Sequence, residues 1–333
     1  MNSTLKLQFV IVITGIFLLI TKFLAFYFTG LNTILTDAME SIVNVVAGFL
    51  SLYSLYLSSM PKDLNHPYGH GKVEFISAGI EGTLIALAGV IMIVQSIYAL
   101  LFQENAPSHV DIGCIVIAVT GMINFILGTI SLKKGRKENS LALIASGKHL
   151  ISDAYSTLGI LIGIIFILIA QYYQANYLAH LLDNGIALVF AILIITTGYK
   201  ILRASVAGIM DEIDHQLVDK IVLLLEKNKK EDWIDVHNLR VIKYGPSLHI
   251  DCHLTLPFYY DIEKSHGEVA SLEQLFTNEL DPGMEVFVHV DPCIEPCCKL
   301  CSLPCSQRKE PFQERKNWTK ELIIQNRKHG LNQ

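Results

Sequence analysis

Charge is what this sequence has least of. Asp, Glu, Lys and Arg make up 17% of its 333 residues, against about a quarter in a soluble domain. The deficit falls almost wholly before residue 205, where one apolar run follows another, so that stretch is no ordinary soluble fold. A basic excess is missing as well. The net charge of −5 offers no reason to propose a nucleic-acid partner. No helix carries an HExxH pair and no nucleophile is paired with a base, which argues against an intramembrane metalloenzyme, and against an enzyme of any kind. Cysteine is nearly absent before residue 293, where five of the seven are gathered.

The apolar part contains six runs long enough to cross a hydrocarbon core, which takes ~20 helical residues. They fall at about 7–29, 32–58, 73–101, 110–132, 141–170 and 178–203. The first has no small-residue cleavage site and is expected to be retained as a helix. Lys and Arg set the orientation. Lys62 and Lys72 follow the second run, Lys133, Lys134, Arg136 and Lys137 the fourth, and Lys200 and Arg203 close the sixth. The segments after the first, third and fifth runs have none. A multi-pass membrane protein with both termini in the cytoplasm is expected, in the inner membrane if the source is bacterial.

From about residue 209 the pattern changes. Residues 214–227 have helical periodicity, 235–244 and 247–256 alternate as strands about a Gly245-Pro246 turn, 261–279 are helical, and 284–290 alternate again. This α-β-β-α-β order predicts a compact α+β domain over 209–292, with helices layered on a three-stranded sheet. In the second strand Leu248, Ile250, Cys252, Leu254 and Leu256 share the core face, and His249, Asp251 and His253 share the other. In the third, Val286, Val288 and Val290 turn inward and leave Phe287, His289 and Asp291 outside. Imidazole with carboxylate is a ligand set suited to zinc.

Ionisable residues inside membrane helices are costly and mark functional sites. The second run holds Asp37, Glu40 and Asn44, the third Glu81, and the fifth His149 and Asp153. Glu40/Asn44 and His149/Asp153 are each four apart, so each pair shares one helix face. At ~1.5 Å per residue, Glu40 and Asn44 lie ~14 and ~20 Å below the outer surface, and His149 and Asp153 ~18 and ~12 Å. Antiparallel neighbours would therefore bring four side chains to one level near the membrane midplane, as a tetrahedral site for a divalent metal. Asp37, nearer the outer end, caps its helix or lines the exit. Glu81 is a proton relay or a buried partner of a neighbouring helix. Gly79, Gly82, Ala86 and Gly89 form a small-residue stripe for close helix packing.

These residues, together with NHPYGHGKVE at 65–74, HLISD at 149–153 within the fifth run, and HVDP at 289–292, resemble the cation diffusion facilitator family of divalent metal/proton antiporters. The resemblance runs from about Leu7 to Pro292. It implies six transmembrane helices, a ferredoxin-like cytoplasmic domain, and a homodimer that alternates between inward- and outward-facing states. Carried over by position, the transport site is Glu40, Asn44, His149 and Asp153. The family usually has Asp or His where Glu40 stands and Asp where Asn44 stands, so this chain departs at both. A loop site of Asp63, His66 and His70 is implied, and a cytoplasmic site of His237, His253, His266, His289 and Asp291, with His249 an added candidate. Lys72 and Asp211 match a pair that locks two protomers together. The expected function is zinc efflux in exchange for protons, with iron, cobalt, nickel or manganese as other metals. The rival is a metal-sensing or non-transporting partner subunit.

Residues 293–333 form a Cys-rich and charged tail. Cys293, Cys297, Cys298, Cys301 and Cys305 have ligand-like spacing for a soft metal. Residues 306–333 are charged and expected to be helical, without a readable role.

Overall fold

The computed structural model of the chain describes residues 3–29, 32–102, 111–172, 176–245, 247–280 and 284–328. Several side chains within the described helices, those of Asp37 and Glu40 among them, lie outside that description. The chain divides into two units, Met1–Met210 and Asp211–Gln333.

Among the described residues the first unit holds six long helices. These are α1 (Ser3–Thr29), α2 (Asn32–Ser58), α3 (Val73–Phe102), α4 (Asp111–Lys137), α5 (Leu141–Tyr172) and α6 (Asn176–Ile209). They coincide with the six apolar runs, most of them extended by a few residues at the ends. Among the described residues, Ser3–Leu24, Val73–Phe102 and Ala191–Ile209 are long and apolar enough to cross a membrane. The unit has the burial pattern of a lipid-embedded bundle. Phe17, Val94 and Met122 face outward, each more than 60% exposed, whereas Gln8, Ser51, Glu81 and Ser146 are buried. In water that arrangement would be unstable. In hydrocarbon the apolar rim costs nothing, and polar groups must find partners inside the bundle.

Close helix approach is carried by small residues. A Cβ added at Gly198 on α6 would sit 2.6 Å from the amide nitrogen of Ala86 on α3, and one at Gly82 would sit 2.8 Å from that of Leu202. The α3 stripe is thus a packing seam against α6. A second seam joins α4 to α5, where a Cβ at Gly147 would meet the Leu132 nitrogen at 2.7 Å.

The second unit is an α+β domain with helices α7 (His215–Lys227) and α8 (Ile262–Glu279) and strands β1 (Asp235–Tyr244), β2 (Ser247–Leu256) and β3 (Glu285–Pro292). Helix α7 buries Val218, Ile221, Val222 and Leu225, spaced as one face of a 3.6-residue period. Asp214 caps it by accepting from the amides of Gln216 and Leu217, both at 3.1 Å, and also accepts from Lys243 Nζ at 2.6 Å. Strands β1 and β2 are antiparallel about Gly245 (φ 62°). Strands β2 and β3 are parallel, so α8 forms the crossover between them. The core face of β2 holds Ile250, Cys252, Leu254 and Leu256, as alternation predicts. The tail joins this unit: Trp318 and Ile323, the latter in a short helix α9 (Lys320–Ile323), are buried in the same core. Residues 306–328 of the charged segment therefore have a structural role that composition concealed, and their one helix among the described residues is α9 rather than a longer one.

Candidate metal sites

Helices α2 and α5 bring three polar side chains into contact. The Asn44 amide nitrogen donates to Asp153 Oδ2 at 2.5 Å, and Asn44 Oδ1 lies 2.8 Å from His149 Nε2. His149 Nε2 and Asp153 Oδ2 are 3.7 Å apart. One carboxamide thus bridges an imidazole and a carboxylate, with its oxygen toward His149 Nε2 and its nitrogen toward Asp153 Oδ2. Their i,i+4 spacing on α5 and the antiparallel run of α2 and α5 produce this without any irregular backbone. Glu40 lies one turn before Asn44 on α2, with its side chain outside the described residues, as is that of Asp37.

One turn from His149, Ser146 lies in a second polar group drawn from four helices. Its hydroxyl oxygen accepts from Gln8 Nε2 of α1 at 3.3 Å, and Ser146 Oγ lies 3.1 Å from Ser51 Oγ of α2 and 3.5 Å from Glu81 Oε2 of α3. Glu81 is buried in this group. Gln8, Ser51 and Ser146 were not among the residues singled out from sequence. Serine and glutamine inside apolar runs were the available signal.

The loop between α2 and α3 gathers Asp63, His66 and His70, with one possible ligand atom from each within 4.8 Å of the others. Asp63 Oδ1 accepts from the amides of Asn65 and His66 at 2.8 and 2.7 Å. His66 Nδ1 lies 3.1 Å from Oδ1, and His70 Nε2 lies 3.4 Å from Oδ2. The His66 amide, aided by the His66 ring and the Asn65 amide, holds the Asp63 carboxyl below its ordinary range against some desolvation. Lys72 is half-buried just before α3, and Asp211 is exposed just after α6 in the left-handed region (φ 55°).

The sheet supplies the third cluster. His237, His253 and His289 pair across β1, β2 and β3 in one row. Neighbouring rings lie 5.0 and 4.6 Å apart between centroids. Asp291 Oδ2 lies 3.3 Å from His237 Nε2 and 3.1 Å from His253 Nδ1, and His289 Nε2 is 3.8 Å from Oδ1. His237, His253 and Asp291 form a compact ligand group. Burial opposes ionisation of Asp291, but the hydrogen bond to His253 and the charge of Lys328 outweigh it and hold the carboxyl below its ordinary range.

A β-bulge makes this row possible. Between His237 and Arg240, β1 carries one more residue than β2, and Asn238 sits at φ 53°. The extra residue keeps Val236 and Leu239 inward while His237 turns out beside His253. Asn238 Nδ2 also lies 3.1 Å from His253 Nε2, and Lys328 Nζ lies 3.3 Å from Asp291 Oδ1. Neither contact was anticipated, although an Asn inside a strand pattern is itself a sign of irregularity. His266 is exposed on α8, and no contact among the described residues joins it to the row. His249 is buried apart from it, between Asp251 (2.9 Å) and Glu285 (3.5 Å).

A helical bundle holding an amide–imidazole–carboxylate cluster, joined to a domain with its own imidazole–carboxylate row, defines a membrane protein that handles metal cations. Residues 7–210 match the cation efflux transmembrane domain, and residues 213–293 match the cation efflux protein cytoplasmic domain. The chain belongs to the cation efflux family, also called cation diffusion facilitators. It is similar to an uncharacterized transporter of Synechocystis, at 26% identity over 82% of this chain and 85% of that protein. The manganese efflux system protein MneP of Bacillus subtilis is 25% identical, over 79% of this chain and 88% of its own. The cation-efflux pump FieF of Salmonella paratyphi A is 28% identical, over 83% and 88%. The protein is therefore a multi-pass integral membrane protein and a divalent-cation efflux transporter, not an enzyme.

Proposed function

We propose that this protein exports zinc from the cytoplasm in exchange for protons, through a site made by Glu40, Asn44, His149 and Asp153 near the membrane midplane. The contact of Asn44 with both His149 and Asp153 carries the reading. It joins two helices through three groups that can each offer a lone pair. To accept an ion, His149 must give up any proton on Nε2 and the Asn44 amide must release Asp153, so metal and protons compete for one set of atoms. An amide oxygen in place of a carboxylate lowers the charge of the site. Borderline-soft zinc with an imidazole and oxygen ligands remains the best match, and iron, cobalt, nickel and manganese are the competitors to test.

The Asp63/His66/His70 loop serves as a second metal site on the cytoplasmic side, an orientation that rests on the basic run Lys133, Lys134, Arg136 and Lys137 after α4. The sheet row His237, His253, His289 and Asp291, with His266, is a third site in a domain that pairs two copies of the chain. Lys72 and Asp211 are assigned to locking that homodimer. Zinc flux into proteoliposomes, with and without an imposed pH gradient, tests the function. Flux that follows the gradient supports zinc/proton exchange. Absence of flux for all five metals would instead favour a sensing or partner subunit.

A further inference from the structure

The tail beyond the sheet is ordered with little regular structure. From Cys293 to Trp318 its one regular element is a 3-10 turn, Glu295–Lys299. Arg308 ties the segment together, donating to the backbone oxygens of Cys298 (2.9 Å), Cys301 (2.8 Å) and Leu303 (2.6 Å). Tyr259 Oη reaches the Pro304 oxygen at 3.3 Å, and the Phe258 amide points at Cys293 Sγ at 3.4 Å. The thiols border one small cavity of about 20 Å³, walled also by Pro257, Tyr259 and Arg308. That is room for one ion or one water.

The five thiols are not equivalent. Cys297, 1% exposed, is the most buried of the five, and it packs with Ile234 and Cys301 in an apolar cluster that Cys293 also touches. The other four are less buried and border the same cavity, with a Cys-x2-Cys step between Cys298 and Cys301. No three of the sulfurs lie within 4.8 Å of one another, unlike the atoms of the loop and sheet clusters, so binding would draw the loop inward.

We infer that Cys293, Cys298, Cys301 and Cys305 hold one zinc-class divalent ion as a structural site, separate from the transport, loop and sheet sites. Four thiolates leave no open coordination position, the mark of a structural rather than a catalytic zinc. A divalent ion with four thiolates carries a net charge of −2, and Arg308 at the cavity wall offsets part of it. An ion here reinforces the small apolar cluster around Ile234, Cys297 and Cys301 and fixes the chain that leads to Trp318 and Ile323.

Cobalt reads this site selectively, because ligation by sulfur gives an intense thiolate-to-cobalt charge-transfer band that His and Asp ligands do not. The full-length protein, purified under reducing conditions and stripped with chelator, should gain that band with one equivalent of cobalt and lose it to zinc. Cys298→Ser and Cys301→Ser should abolish it, and Cys297→Ala should retain it. Should the serine variants fail to fold, thiol titration of the unmodified protein decides: zinc should protect four thiols that react after chelation. Absence of the band, its persistence in both serine variants, its loss in Cys297→Ala, or a thiol count indifferent to zinc would overturn the assignment.

Discussion

Replacing Asp153 by Asn isolates the charge of the proposed transport site from its shape. Asparagine is nearly isosteric and can still accept from Asn44 Nδ2 across the 2.5 Å contact, so the α2–α5 junction should persist. A divalent ion among the three groups would sit within a few ångströms of Asp153, since His149 Nε2 and Asp153 Oδ2 are 3.7 Å apart. At ~4 Å and an effective dielectric of ~20, a unit-charge pair is worth about 4 kcal/mol, and a divalent ion doubles that to roughly 8. Desolvating the carboxylate and the ion returns several kcal/mol. The net loss in Asp153→Asn is then about 2–4 kcal/mol, or roughly 30- to 1,000-fold in metal affinity. Zinc flux into proteoliposomes below saturation should fall by that factor, with thermal stability in detergent little changed. Unchanged flux at every zinc concentration would remove Asp153 from the site and refute the argument.

Three further outcomes follow from other parts of the molecule. Gly82→Ala places a Cβ 2.8 Å from the Leu202 backbone, and should cost ~1–3 kcal/mol. A lower melting temperature in detergent checks this, and an unchanged one would mean that α3 and α6 are not seamed there. Asp214→Ala removes the α7 cap and the Lys243 partner, and should cost ~1 kcal/mol at neutral pH. Desolvation opposes ionisation of Asp214, but the bonds from Lys243, Leu217 and Gln216 prevail and lower its folded pKa. Its contribution is thus complete above the ordinary carboxylate value, ~3.9, and lost as pH falls through the folded value. The melting difference between variant and parent should therefore shrink on acidification below about pH 4. Asp291→Asn leaves the His237–His253 row without its shared anion. Zinc binding at the proposed sheet site, followed by calorimetry, should weaken roughly 10- to 100-fold, while flux at saturating zinc tests whether that site governs transport.

Much of the architecture was legible because local periodicity is set by local chemistry. Six apolar runs became six helices, and the alternation Ile250, Cys252, Leu254, Leu256 became one buried face of β2. The i,i+4 pair of His149 and Asp153 had to share a face of α5, and the opposite run of α2 put Asn44 at their level. Other features depended on which faces meet, and no local pattern encodes that. A single extra residue, Asn238, turns His237 toward His253. The Asn44 amide, which reads as a weakened ligand, is the group that joins His149 to Asp153. The tail reads as surplus charge and cysteine, yet it returns to bury Trp318 and Ile323 and to set Lys328 beside Asp291. The sequence by itself determined the period and face of each element. Only tertiary packing decided which polar groups face one another, because partners more than a hundred residues apart meet only once the chain has closed on itself.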